Sequence, residues 1–540
     1  MQQLSGLHVL ILGLGASGMA MVRWCARHGA VVTVADTREA PPQLPALQAE
    51  WPQVRFVGGP FSAALIDGTP IRAVFRSPGL SPAVVAPVVE AAHAAGLWQG
   101  GELSLFVAGL QDLHARFAYA PQLLAITGTT GKTTVTSLTA LLVARAGKTV
   151  KVAGNIGPTL LDTLGEAMAQ AELDVQALAQ QALEAEPDRQ PEDAETEPAP
   201  LSAMARALPQ VWVLELSSFQ LEGCEGFEPT AATVLNVTQD HLDWHGTMPA
   251  YAAAKARIFG QQALMLLNRE DPTVMAMLPE PVRVKLQKPV CRAHATFGGD
   301  MPQRPGDWGI ETVNGMAWLV RALEADETRK RRKDEEEELH IQRLMPADAL
   351  RIRGRHNAIN ALAALALASS AGCPLAPMLY GLREYRGEPH RVEPVAIVQE
   401  VEYFDDSKGT NVGATVAALQ GLGAERRLVV ILGGDGKGQD FSPLLAPLSQ
   451  HARAVVLIGR DAPAIRQALQ GVGAGLHDAV DLADAVRRCS GLAQPGDAVL
   501  LSPACASLDM FRDYAHRAEV FRAAVAELAE AAGVSMEGAL

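Results

Sequence analysis

The chain has no excess of positive charge, no cysteine pair at metal-ligand spacing and no long apolar run, and each absence removes a class of function. Its 46 Lys and Arg stand against 60 Asp and Glu, a formal net charge of -14. An acidic surface repels nucleic acid and anionic membranes, so neither is expected as a main partner and any phosphate site must be local. Six cysteines, Cys25, Cys224, Cys291, Cys373, Cys489 and Cys505, are scattered without a C-x-x-C pair. That pattern suits buried thiols in a reducing compartment better than disulfides or zinc. No apolar run approaches the length needed to span a bilayer. The opening MQQLSGLHVLILGLG has no basic segment ahead of its apolar run, and reads as a first strand rather than a signal peptide. The expectation is a cytoplasmic monomer with no membrane insertion.

What is present is apolar content, 48% of 540 residues. At about 150 residues per domain this fills three cores, read as residues 1–112, 113–387 and 388–540. Strand, glycine turn and helix recur in each, so the fold class is α/β: a Rossmann-like N-terminal domain, a P-loop-type central ATPase domain and a Rossmann-like C-terminal domain.

Residues 124–134, LAITGTTGKTT, organise the rest. Gly128 and Gly131 let the backbone turn its N–H groups towards an anion, the following helix adds its positive dipole end, and Lys132 adds a charge. Thr133 is placed to ligate magnesium. The usual P-loop has a glycine where this chain has Ile126, so the spacing is G-x-x-G-K-T-T. The bland alternative is a tight strand-to-helix connection.

Ahead of it, an apolar run at 8–12 feeds Gly13-Leu14-Gly15-Ala16-Ser17-Gly18, and a second strand ends on Asp36-Thr37-Arg38. The pattern is that of a dinucleotide-type βαβ unit with an acid near the ribose. Alone it suggests NAD, but the same geometry binds any nucleotide diphosphate and Arg38 offers a cation for a phosphate. Ser77-Pro78-Gly79 breaks a further strand and exposes backbone N–H groups to the same anion.

Two stretches, about 166–209 and 324–345, break the pattern. The first is rich in Ala, Gln, Glu and Pro; it reads as a surface insertion, helical in its earlier part and disordered in its Pro-rich part, so that a short link is expected to replace 170–207. The second, with basic residues followed by acidic ones, reads as an exposed helix with i,i+4 pairs.

Glu215 ends a buried apolar strand downstream of the P-loop, where a magnesium-ligating or water-holding carboxylate belongs; a structural ion pair is the alternative. His241 follows another strand end and is a candidate ligand, although a lone histidine is more often structural. Lys255 lies among small residues of a helix and is otherwise a surface lysine. Asn357 and Asn360 share one helix face, suited to an adenine edge. In the last domain, polar segments again follow strand ends, among them Asp405-Asp406-Ser407-Lys408 and Gly436-Lys437, which suits a small anionic substrate.

In order along the chain stand GTTGKTT, GNIG, ELSSFQLE, NVTQDHLD, HNAINALAALALA, PHR, DDSKGTN, LGGDGKGQDFSPL and LSPACASLD. This set resembles the Mur ligase family over nearly the whole chain except the two insertions, and DDSKGTN with GGDGK resembles those members that add D-glutamate. The resemblance implies an ATP-dependent amide ligase of peptidoglycan synthesis that forms ADP and phosphate. Its partners would be UDP-N-acetylmuramoyl-L-alanine and D-glutamate, with ATP and Mg2+ required and an acyl phosphate as intermediate.

By the same resemblance, Gly128, Thr129, Thr130, Gly131, Lys132, Thr133, Thr134, Asn357, Asn360, Arg391, Asp406 and Lys408 would hold ATP. Thr133, Glu215, His241 and a carbamylated Lys255 would hold metal, with Lys132, His241 and Lys255 catalytic. Ala16, Ser17, Thr37, Arg38, Ser77, Pro78, Gly79, Asn155 and Gln220 would hold the UDP substrate, and Thr410, Lys437, Ser507, Leu508 and Tyr514 would hold D-glutamate. Residues 101–106 match their segment loosely, and Tyr514 stands where phenylalanine is common. The rival readings are an NAD-dependent oxidoreductase, which leaves the P-loop unemployed, and a nucleotide-sensing ATPase, which needs no lysine-bearing site in the last domain. Substrates held by three domains also imply closure of the third.

Overall fold

The computed structural model describes residues 2–185, 202–282, 289–324, 339–352, 354–424 and 426–534, and they form three successive sheets with helices packed on them. Strand residues alternate between faces, and both faces are covered. In His8–Leu12, Val9 and Ile11 enter one apolar cluster while Leu10 and Leu12 enter another. In Val211–Glu215, Trp212 and Leu214 point one way and Val211 and Val213 the other. Burial on both sides is why these strands appear as unbroken apolar runs.

The first sheet is parallel, in the order Arg55–Gly58, Val31–Asp36, His8–Leu12, Ala73–Arg76, Trp98–Gly101. Strand order reverses beside His8–Leu12, so the loops after it and after Ala73–Arg76 open into one crevice. In the nine-stranded second sheet, Gln122–Thr127 lies between Val211–Glu215 and Ala231–Val234. Ile126 pairs with Glu215 and Thr127 with Val234, which sets the glycine loop beside both neighbouring strand ends. The third sheet has six strands; Ala498–Leu501 lies between Val401–Asp405 and Leu428–Gly433, all parallel, and Glu393–Val398 is an antiparallel edge.

The first charged stretch is helical in its earlier part, and its packing is partial. Leu160–Ala185 is one helix, as the pattern of its earlier part suggested. Leu164, just ahead of the stretch, and Ala167 and Ala171 within it are buried in the cluster that holds Trp24, Phe106 and Trp212. A second helix, Ala203–Ala207, is capped by Ser202 and buries Met204, with Leu208 just beyond. Within 170–207 the described burial is confined to Ala171 and Met204, and residues 172–181 are exposed save for half-buried Val175, as a surface stretch would be. Its Pro-rich part, residues 186–201, lies outside the described residues. The second stretch is flanked by strands: Met316–Glu324 pairs antiparallel with Leu339–Pro346, and Glu324 faces Leu339. The exposed helix expected from the charges at 329–338 falls on residues 325–338, which lie outside the described residues.

The first two units share a core, with the Phe106 ring edge-on to Trp212 at 5.3 Å. The third has apolar clusters of its own and makes polar contacts with the second: Arg391 to Thr133 at 2.7 Å and Asn411 to Asp240 at 3.2 Å. Among the described residues no helix is long and apolar enough to cross a membrane.

Candidate active site

Gly131, at φ +81°, precedes the helix Lys132–Arg145, and a Cβ there would lie 3.0 Å from Asn360 Oδ1. Only glycine suits both the left-handed backbone and the close approach. The loop is held from the neighbouring strand end. Asn236 Oδ1 accepts from the Thr130 N–H at 2.8 Å, and its Nδ2 donates to the Thr130 carbonyl at 3.2 Å. Thr129 Oγ1 accepts from the Thr238 N–H at 3.0 Å and is 3.3 Å from the Tyr251 hydroxyl. Lys132 Nζ donates to the carbonyls of Gly128 at 2.9 Å and Thr129 at 3.1 Å. Burial lowers its pKa, while the Glu215 carboxylate pulls the other way. Thr134 is buried.

Glu215 is only 3% exposed, and its Oε1 accepts from Asn155 Nδ2 at 3.1 Å. Lys255 is 1% exposed, which removes the surface-lysine reading. Its Nζ donates to the Gly128 carbonyl at 3.0 Å and lies 4.5 Å from the Tyr251 ring centre. Burial, with the charge of Lys132 next, holds its pKa well below the ordinary lysine value. His241 is left-handed at φ +53° and packs edge-on against Phe219 at 4.8 Å, with Nε2 3.5 Å from Asp240.

Two clefts meet at the loop. One, of ≈ 480 Å³, is lined by Lys132, Asn155, His241, Lys408, Thr410 and Lys437 with others. The second, of ≈ 520 Å³, is lined by Thr134, Asn236, Asn268, Asn357, Asn360 and Asp406 with others. Thr130, Gly131 and Arg391 belong to both. Asn360 Nδ2 donates to Asn357 Oδ1 at 3.1 Å. Asp406 is buried, accepts from Ser502 Oγ at 2.6 Å, and has its carboxyl pushed up to about 7 by that burial. Burial likewise lowers Lys408 to about 8. Glu215 and Lys255 do not line either cleft but sit buried behind the loop. Ser507, Leu508 and Tyr514 are also absent from both linings; Leu508 is 69% exposed, and the Tyr514 ring lies 5.0 Å from Lys408 Nζ.

In the first unit, Ser77 Oγ donates to the Gly13 carbonyl at 2.9 Å and joins the two glycine loops. A Cβ on Gly18 would meet the Gly13 oxygen at 2.0 Å. The acid expected near a ribose, Asp36, already accepts from the Leu14 N–H at 2.7 Å and from Arg38 Nη2 at 2.8 Å. These contacts overcome its burial and take the Asp36 carboxyl down to about 2. Ser17 lies on the helix Ala16–Arg27 that follows the first glycine loop. Thr37 is exposed, Pro78 shares a small groove with Gln220 and Trp244, and Trp244 Nε1 donates to the Leu80 carbonyl at 3.2 Å, closing the second unit over the Ser-Pro-Gly-Leu turn. Gln220 Oε1 accepts from the Ser217 N–H at 3.0 Å in a helix cap.

Sequence reading passed over Asn236, Asp240, and the Glu270–Arg355 ion pair, in which Arg355 Nη1 donates at 3.0 Å on the wall of the larger cleft. The signal for the first two lay in NVTQDHLD, where an asparagine at a strand end reads equally well as a turn former.

The arrangement is that of an α/β protein whose second and third units face each other across a glycine loop and the two clefts that meet there. Residues 7–99 match the family model described as Mur ligase MurD-like, N-terminal domain; 126–368 match the Mur ligase middle domain and 390–505 the Mur ligase glutamate ligase domain. The chain is 65% identical to the UDP-N-acetylmuramoylalanine–D-glutamate ligase of Albidiferax ferrireducens, with 100% of each covered. It is 56% identical to that of a Polaromonas species, over 99% of this chain and 100% of the relative. Among solved structures it resembles the UDP-N-acetylmuramate-alanine ligase MurC of Thermotoga maritima, with a TM-score of 0.52 at 18% identity over 96% of this chain and 99% of that one; at that identity the likeness is one of fold. The chain belongs to the Mur ligase family.

Proposed function

We propose that this chain joins the amine of D-glutamate to the terminal carboxylate of UDP-N-acetylmuramoyl-L-alanine, with ATP cleaved to ADP and phosphate, as a cytoplasmic step of peptidoglycan synthesis. The observation that carries the reading is one cleft lined from the second sheet by Lys132, Asn155 and His241 and from the third by Lys408, Thr410 and Lys437. A carboxylate is a poor electrophile until one of its oxygens can leave as phosphate, and crowded anions meet only where cations are fixed in advance.

The substrate carboxylate oxygen attacks the γ-phosphorus of ATP and ADP leaves. The amine of D-glutamate then attacks the acyl carbon, phosphate leaves, and the amine gives up its proton. Lys132 and Lys408 steady the phosphoryl oxygens, and Asn357 and Asn360 hold the adenosine end in the adjoining cleft. Lys437 and Thr410 hold the D-glutamate carboxylates, and Arg38 and the Ser77 to Gly79 turn hold the uridine diphosphate. The donor set fits magnesium: Thr133, Glu215, His241 and Lys255 would hold it, with Lys255 as its carbamate. Burial, with Lys132 beside it, pushes the Lys255 amine well below the ordinary lysine value, which favours the neutral form that adds carbon dioxide, and the carbamate offers hard oxygens. When bound, magnesium supplies positive charge between phosphate and carboxylate.

Phosphate release measured with each substrate omitted tests the reading. It should require ATP, UDP-N-acetylmuramoyl-L-alanine and D-glutamate together, and Lys437→Ala should raise KM for D-glutamate about tenfold with little change for ATP. Release independent of D-glutamate, or NADH binding without affinity for the UDP-sugar, would overturn it.

A further inference from the structure

A third groove, of ≈ 580 Å³, adjoins the nucleotide cleft at residues 387–392 and shares Asn357 and Arg391 with it. Its remaining lining has no part in the proposed reaction. One wall carries Arg351 and Arg386; the other comes from the edge strand Glu393–Val398 and its surroundings, with Ile397, Phe404, Leu422 and Arg426. The lining therefore belongs to both the second and the third unit.

Its charge runs against that of the chain. Four arginines line it against two carboxylates, Glu393 and Glu402. Each carboxylate has an arginine already: Glu402 pairs with Arg426 at 2.7 Å and Glu393 with Arg522 at 2.5 Å. No carboxylate pairs with Arg351, Arg386 or Arg391 among the described residues. Arg351 Nε donates to the Arg383 carbonyl at 3.0 Å, the Nε of Arg391 is buried with no acceptor, and Arg386 has no hydrogen bond or ion pair among the described residues. Between these cations lies apolar surface: Phe404 is buried beneath it, and Ile397 is 42% exposed on the edge strand.

We propose that this groove binds an amphipathic organic anion, a carboxylate or phosphate carried on an apolar ring, with Arg386 and Arg351 taking the head and Ile397, Phe404 and Leu422 the body. Unpaired guanidinium groups supply charge-assisted hydrogen bonds, and the apolar wall supplies burial, the two features of a small-molecule site. Since the walls belong to two units, an occupant ties them together beside the nucleotide cleft, and its affinity and that of the nucleotide are linked.

Calorimetric titration of the full-length protein, saturated with ADP so that the nucleotide cleft is taken, tests this with 1-naphthyl phosphate, 1-naphthoate and inorganic phosphate. One or both naphthyl anions should bind at least about tenfold more tightly than inorganic phosphate, and the stronger of the two identifies the head group. Arg386→Glu and Ile397→Asp should each weaken that binding by about tenfold or more while ADP affinity and Tm stay at parental values. The proposal fails if neither naphthyl anion binds at up to about 5 mM, a concentration that still registers weak sites. It fails equally if both variants bind like the parent, or if they weaken ADP to the same extent, which would put the ligand in the nucleotide cleft. Binding is read directly, so the outcome is separate from that of the ligase reading.

Discussion

The guanidinium of Arg391 donates from Nη2 to Oγ1 of Thr133 at 2.7 Å, a hydrogen bond between residues 258 positions apart. It joins the start of the third unit to the first turn of the P-loop helix, at the hydroxyl assigned here to magnesium. A divalent cation on that oxygen would face the guanidinium at short range, so arriving phosphates must draw Arg391 away from Thr133 and onto themselves. Arg391→Ala is expected to raise KM for ATP about tenfold and to leave KM for UDP-N-acetylmuramoyl-L-alanine nearly unchanged. Steady-state kinetics with each substrate varied in turn would expose a wrong assignment as equal effects on both.

Lys255 combines burial with a depressed pKa beside Lys132. Lys255→Ala should lose most activity with its fold kept, and a small carboxylic acid in the buffer should restore part of it by filling the space with an anion. Lys255→Arg should resist rescue, since it keeps both charge and bulk. An alanine variant as active as the parent without added acid would leave the carbamate no role.

Asp406 predicts a pH dependence of stability. Burial raises its carboxyl to about 7 against the hydrogen bond from Ser502, whereas an unfolded aspartate titrates near about 3.9. Between those values the folded protein holds a proton that the unfolded chain has released. The contribution of this group to stability is therefore complete below about pH 4 and is lost as pH rises to 7, with a slope of at most about 1.4 kcal/mol per pH unit. Asp406→Asn stays neutral throughout, so its Tm should decline less than that of the parent between pH 5 and pH 7. Identical Tm profiles would assign the slope to another group.

Chain replacement measures what the first charged stretch contributes to stability. A Gly-Ser link in place of 170–207 removes Ala171 and Met204 from the shared core and should lower Tm by several degrees. A link replacing only 186–201 should leave Tm and activity close to the parent. If the longer replacement melts like the parent, the burial of this helix pair contributes little.

Much of the fold was legible because parallel strands buried on both faces leave apolar runs that end in glycine turns, as at His8–Leu12, Gln122–Thr127 and Leu428–Gly433. Local chemistry also fixed the helix after Gly131, since that backbone conformation and Lys132 are adjacent in the chain. The burial of Ala167, Ala171 and Met204 within the first charged stretch was not legible. Composition measures what a segment contains, and burial depends on which surface comes to meet it. Whether Lys255 was a surface lysine or a buried amine could not be read from its neighbours in sequence, because Thr127, Gly128 and the Tyr251 ring that gather around it come from elsewhere in the chain or from the fold of its own helix. The pairing of Arg391 with Thr133 and the clamp of Asn236 on Thr130 are likewise products of strand order, which brings distant loops to one edge of a sheet. Residue types and their spacing were enough to specify phosphate chemistry; the distances at which charges meet, and hence their pKa values and partners, were decided only when three sheets packed together.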